Sequence, residues 1–138
     1  MERSVYSKVF KNVTRLRVWN VLIDVNNWQE WQNDIDYCKI EGDFKVGNHF
    51  FLKPKGVKPV KIFITEINEG YSFTDCTFFW GAKMYDTHTL EETSEGLRYT
   101  QTIVVKGLLS WLWTKLVAKN VAASVPKQVE ALIELVRN

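Results

Sequence analysis

Little in this chain points to a covalent or metal scaffold. It has only two cysteines, Cys38 and Cys76, far apart and without a close-spaced partner. Disulfide frameworks and structural zinc sites need denser cysteine, so each is read as a buried free thiol. An excess of one charge is also lacking, since 18 Lys and Arg stand against 16 Asp and Glu, a net charge of +2. A surface that tracks phosphates needs a strong positive excess, so no nucleic-acid partner is expected. Long apolar runs are missing. The nearest, Leu108 to Ala118, is broken by Ser110, Thr114 and Lys115, and falls short of the ~18 residues of a membrane span. Met1 to Tyr6 hold neither an apolar stretch nor a cleavage-site pattern, which argues against a secretory signal. The expected location is the cytoplasm, without stable membrane insertion.

What the chain does have is aromatic mass. Aromatic residues make up 14% of it, with 6 Trp and 8 Phe, so it can line a cavity with stiff side chains or build a thick core. Its 138 residues fit one domain, 1–138, able to bury roughly two-thirds of its extended surface.

The seven glycines, from Gly42 to Gly107, all lie in the middle of the chain. Their spacing is that of an antiparallel meander. Between them, Asp34–Ile40, Asn48–Lys53, Lys58–Ile67, Tyr71–Trp80, Lys83–Glu92 and Leu97–Lys106 are rich in β-branched and aromatic residues and read as strands. Ser4–Phe10 is a further first strand. Alternation is clearest where Leu97, Tyr99, Gln101, Ile103 and Val105 form one face of a strand. Phe78, Phe79 and Trp80 are consecutive, and the pattern alone leaves their faces open, because a one-residue slip reverses them.

Two stretches have helical spacing instead. Thr14 to Ile23 places Leu16, Val18, Trp19, Leu22 and Ile23 on a helix that Thr14 or Asn12 can cap. Trp28 and Trp31 suggest a further short turn. From Leu108 to Val136 an apolar stripe runs through Leu112, Leu116, Val121, Val125, Val129, Leu132 and Val136. Pro126 lies inside it and predicts a kink or break. The implied class is α+β. A curved antiparallel sheet of six to seven strands wraps a long C-terminal helix, with two short helices after the first strand, and a pocket opens where the grip is loose.

The run Val18-Trp19-Asn20-Val21-Leu22-Ile23-Asp24, followed by Trp28, Trp31 and Ile35, resembles the opening of the polyketide cyclase/dehydrase and lipid-transport family. That family belongs to the START-like, Bet v 1-like superfamily. Gly47 with Phe50 and Leu52, Ile64 to Ile67 before Gly70 and Phe73, and His88-Thr89-Leu90 through Gly96 to Gly107 resemble its later segments in order. Glu69 stands where the pattern has a turn proline, and Leu97 where it has threonine. The resemblance implies a helix-grip fold with a hydrophobic ligand cavity, and members that bind or catalyse.

Several residues could carry function. Asp86 and His88 share a strand face with Met84 and Leu90, which the resemblance makes inward-facing. They can form an acid/base pair, anchor a ligand, or satisfy one another. Tyr99 and Gln101 can orient a ligand's polar group, or Gln101 can simply face water. Trp28, Trp31, Phe50, Phe63, Phe73 and Phe79 are candidate cavity walls, with Met84 on the sheet and Leu112 and Leu116 on the helix. Trp111 and Trp113 make the helix start apolar all round, as a lid that touches membranes or as an end buried under the loop after Asp24. His49 is expected to be exposed. With two histidines and no evident His/Cys/carboxylate cluster, neither a metal nor a cofactor is expected. No nucleophile elbow, HExxH or phosphate loop is present.

The expected function is binding, and possible transport, of a small hydrophobic or amphipathic molecule by a monomer or homodimer. The alternatives are a cyclase or dehydratase using Asp86 and His88, or a ligand-free interaction module.

Overall fold

The computed structural model describes residues 2–137. Seven strands form one antiparallel sheet: β1 (Glu2–Phe10), β2 (Ile35–Ile40), β3 (His49–Pro54), β4 (Val60–Asn68), β5 (Ser72–Phe79), β6 (Ala82–Thr93) and β7 (Gly96–Lys106). Their order across the sheet is β1-β7-β6-β5-β4-β3-β2. Strands β2 to β7 form a continuous meander, and β1 returns to pair with β7. Helix α1 (Arg15–Leu22) and a 3-10 turn (Val25–Glu30) connect β1 to β2. Thr14 caps α1, its hydroxyl accepting from the Arg17 amide. Asn12 instead takes a positive φ of 63° in the preceding turn.

Inward-facing residues follow the period of two. On β7, Leu97, Tyr99, Gln101, Ile103 and Val105 are all buried. On β6 the inward set is Ala82, Met84, Asp86, His88 and Leu90, and on β5 it is Phe73, Asp75, Thr77 and Phe79. Phe78 therefore points outward and is half exposed, while Trp80 stands at the turn, 82% exposed.

Two glycines are required where chain segments meet. Gly96 has φ 141°, and a Cβ there would lie 2.4 Å from the Phe10 carbonyl oxygen. Gly107 has φ 120° and leaves no room beside the Gly81 carbonyl oxygen, 2.5 Å from where its Cβ would be.

The C-terminal helix is continuous but not uniform. It starts as α2 (Ser110–Trp113), widens to a π-turn at Thr114–Ala118, and continues as α3 (Lys119–Arg137). Of the kink or break expected at Pro126, the break does not occur, because α3 runs through it. A proline inside a helix costs about 3 kcal/mol or more. Val125, Val129, Leu132, Ile133 and Val136 are all buried on α3, and each contributes about 1.5–3 kcal/mol. Packing against the sheet outweighs the lost hydrogen bond. The irregularity falls upstream, at the π-turn.

The start of this helix is not covered by the loop after Asp24. It packs on the β5–β6 turn, where Leu109 donates its amide to the Gly81 carbonyl at 3.0 Å. Trp113 stacks on Phe79 at 4.7 Å and donates its indole N–H to the Trp80 carbonyl at 2.6 Å. Leu108, Trp111 and Leu116 at this end, and Trp80 at the turn, are left exposed.

Candidate functional site

The sheet and the C-terminal helix part over β3 to β6 and enclose a cavity of about 480 Å³. One wall comes from Trp28 and Trp31 of the 3-10 turn and the residue that follows it, with Ile35 of β2. Opposite it lie Leu116 and Val117 of the π-turn and Val121 of α3. Leu52, Val60 and Ile62 carry the apolar lining across the sheet. Val57 and Leu116 both line the cavity and are more than half exposed, so they mark its mouth.

The other side of the cavity is polar. Asp75, Thr77, Asp86, His88 and Gln101 project into it from β5, β6 and β7. Strand register brings them together: Asp75 pairs with Asp86 across β5 and β6, and His88 pairs with Gln101 across β6 and β7. One ligand atom from each of Asp75, Asp86 and His88 lies within 4.8 Å of the others. The sequence reading expected no such cluster. The cause lies at the turn. Trp80 and Gly81 close a tight hairpin that sets Phe79 opposite Ala82, and counting outward sets Asp75 opposite Asp86. That count was available from the sequence, and it is the signal by which Asp75 could have been found.

A hydrogen-bond chain orients these groups. Gln101 Nε2 donates to both oxygens of Asp86, at 3.0 and 3.1 Å. This turns Gln101 Oε1 toward Tyr99, whose hydroxyl donates to it at 3.4 Å. His88 Nδ1 and the Tyr99 hydroxyl are hydrogen-bonded at 2.8 Å. With the Tyr99 proton given to Gln101, the Tyr99 oxygen accepts from Nδ1, and in that tautomer the neutral imidazole has its lone pair on Nε2. Nε2 is buried and has no hydrogen-bond partner, 3.5 Å from Asp86 Oδ1. Trp31 Nε1, in the facing wall, is likewise buried and unpartnered. Orphaned buried polar atoms are costly in an apolar interior.

Burial dominates the protonation of these groups. It raises the Asp75 carboxyl well above the usual range, and the charge of Asp86 raises it further. Asp86 is raised by burial, opposed by His88 and by the Gln101 amide. His88 is lowered by burial, opposed by Asp86. The site therefore keeps a neutral imidazole beside two carboxyl groups that resist joint ionisation.

Of the residues singled out from sequence, Trp28, Trp31, Phe79, Met84, Asp86, His88, Gln101 and Leu116 line the cavity. The others need correction. Phe50 is fully buried under Trp28, with ring centroids 5.2 Å apart. Phe73 is buried and stacks on His88 at 4.5 Å, behind the polar wall. Tyr99 is buried and reaches the site only through His88 and Gln101. Phe63 lies on the outer sheet face against His49 and Phe78, because odd positions of β4 point away from the helix there. His49 shares that face and is half-buried, not exposed. Leu112 falls outside the lining, because α2 lies over the β5–β6 turn rather than over the cavity. Gln101 does not face water but anchors Asp86.

No family model and no curated protein matches the chain. Solved structures do. The chain covers 98% of itself and 94% of protein NE0264 from Nitrosomonas europaea, with a TM-score of 0.77 at 18% identity. It covers 100% of itself and 99% of protein CV1439 from Chromobacterium violaceum, at 0.72 and 18%. With Ara h 8.0201 the coverage is 98% of each chain, at 0.74 and 14%. The chain has the helix-grip, Bet v 1-like fold. At these identities the likeness shows the fold, and the chemistry must be read from this chain's own residues. No helix among the described residues is long and apolar enough to cross a membrane.

Proposed function

We propose that the protein binds a small apolar or amphipathic molecule in the cavity between its sheet and C-terminal helix. The observation that carries this reading is a cavity of about 480 Å³ with apolar walls and one polar side. That volume is in the range of small-molecule sites, and the few convergent polar groups suit one oriented ligand. Native mass spectrometry followed by denaturing extraction tests it, alongside titration with the neutral fluorescent probe N-phenyl-1-naphthylamine. Val121→Trp places an indole in the cavity from α3, and is expected to weaken probe binding about tenfold or more with the fold retained by circular dichroism. Equal binding by the parent and this variant overturns the reading.

One observation favours a second reading, acid–base catalysis of the cyclase or dehydratase type. His88 Nε2 is buried without a partner close to Asp75, whose carboxyl is raised well above the usual range by burial and then by the charge of Asp86. A base and an acid then face one bound carbonyl compound. His88→Ala is expected to abolish turnover while probe binding persists, and unchanged turnover removes this reading.

A further inference from the structure

We infer that the polar side of the cavity is a seat for a protonated primary amine at the end of an apolar ligand. The inference rests on the ligand-binding reading above and adds the chemical class of the ligand's head.

Three acceptors converge there. Asp75 and Asp86 each present a carboxyl oxygen, and His88 presents the Nε2 lone pair that the Tyr99–Gln101 chain leaves without a proton. A primary ammonium has three N–H donors in tetrahedral directions. Acceptors held at ~2.8 Å along those directions stand ~4.6 Å apart. The three groups lie within about that span, no two of their ligand atoms more than 4.8 Å apart, and His88 Nε2 and Asp86 Oδ1, at 3.5 Å, stand closer than the ideal, so seating the ammonium needs these two to part.

The charge of the site asks for the same occupant. Two carboxyl groups this close hold one proton between them and keep about one negative charge. Among the described residues, none that lines the cavity is Lys or Arg, so this charge has no cationic side chain in the cavity. A buried charge without a counter-charge is destabilising, and a bound ammonium supplies one. The His88 nitrogen is independent of the acid pair: His88 is 5% exposed, its Nε2 is unpartnered, and it points at the carboxylates. An unprotonated nitrogen facing carboxylate oxygen is repulsive unless a donor or a cation lies between them. A ligand hydroxyl could donate only one hydrogen bond, and a ligand carboxylate would add to the repulsion.

The apolar remainder of the ligand would extend from this seat past Met84 and Phe79 toward Val57 and Leu116 at the mouth. Such a ligand resembles a fatty or aromatic amine in its division into a cationic head and an apolar body.

The competing occupant is a divalent metal ion, and the same experiment separates the two. The parent protein is titrated, below micellar concentrations, with decylamine, decanol and decanoate, following intrinsic tryptophan fluorescence, to which the cavity-lining Trp28 and Trp31 contribute. The titrations are repeated on Asp75→Asn and Asp86→Asn, both nearly isosteric, and thermal melts are recorded with zinc or manganese chloride. The expected result is decylamine binding about tenfold tighter than decanol, with decanoate weakest. In each variant the amine preference should fall while decanol affinity holds. Equal affinity for amine and alcohol overturns the amine seat and leaves the apolar cavity standing. No binding by any of the three removes the ligand-binding reading and the amine seat with it. A metal-induced rise in melting temperature that is lost in Asp75→Asn, without amine preference, assigns the site to a metal and also overturns the inference.

Discussion

The hydroxyl oxygen of Tyr99 lies 2.8 Å from Nδ1 of His88, and both side chains are buried. This contact decides which imidazole nitrogen faces the cavity. Replacing Tyr99 by Phe removes the acceptor and leaves a buried N–H without a partner, at a cost of about 1–3 kcal/mol. The melting temperature should fall by roughly 3–10 °C. In nitrogen NMR the His88 tautomer should shift toward Nε2–H, which can then donate to Asp86. An unchanged tautomer with an unchanged melt would mean that Tyr99 does not hold the ring.

Asp75 and His88 give stability opposite pH slopes. The raised Asp75 carboxyl favours the native state fully only below its ordinary value of 3.8, and this contribution is lost as pH rises through the folded-state value. The lowered His88 contributes above its ordinary value of 6.5, and this is lost as pH falls through the folded-state value. Asp75→Asn removes the first penalty. Its urea midpoint should exceed the parent's at pH ~8, with the gap closing below pH ~4. A variant less stable than the parent at the higher pH would show that an ionised Asp75 is stabilised by a partner.

Phe50 and Phe63 test the inner and outer faces of the sheet. Phe50 is fully buried beneath Trp28, so Phe50→Ala should cost about 3–5 kcal/mol and disturb the cavity wall. Phe63 packs against His49 and Phe78 on the outer face, so Phe63→Ala should cost about 1 kcal/mol and leave probe binding intact. Denaturant midpoints and probe titrations check both. Loss of probe binding in the Phe63 variant would contradict the assigned strand register.

Cys38 and Cys76 are free and buried. Burial, and then the charge of Asp75, pushes the Cys38 thiol up to about 12. Cys76 is raised as well, chiefly by burial. The thiolate is the reactive form, so neither should react quickly with a disulfide reagent at pH ~8. Both should react at once in concentrated guanidinium chloride. Rapid labelling of the native protein would indicate that β2 or β5 opens locally.

Most of the fold was legible because its signals are local. The β7 alternation from Leu97 to Val105 matched burial residue by residue, and Thr14 and the tryptophans announced the helical pair before β2. Pro126 did not break the helix because propensity in a helix interior is a weaker term than five buried side chains. The candidate site was only half legible. Asp86 and His88 were found as neighbours on one strand, whereas Asp75 lay across the hairpin and needed the register of the Trp80–Gly81 turn. Phe50 and Phe63 were indistinguishable as aromatic strand residues until the pairing of β3 with β4 assigned them opposite roles.

The sequence by itself determined the element order, the glycine turns, the helix-grip class and which residues of β6 and of β7 share a face. Side-chain periods of two and 3.6 and the conformational needs of turns are properties of short segments. Only the tertiary structure decided which inward residues pack the core and which line open space. It also decided that Asp75, Asp86 and the unpartnered His88 nitrogen meet at one point. Those outcomes depend on cross-strand register and on where the curved sheet parts from the helix, and both are set by contacts between residues distant in the chain.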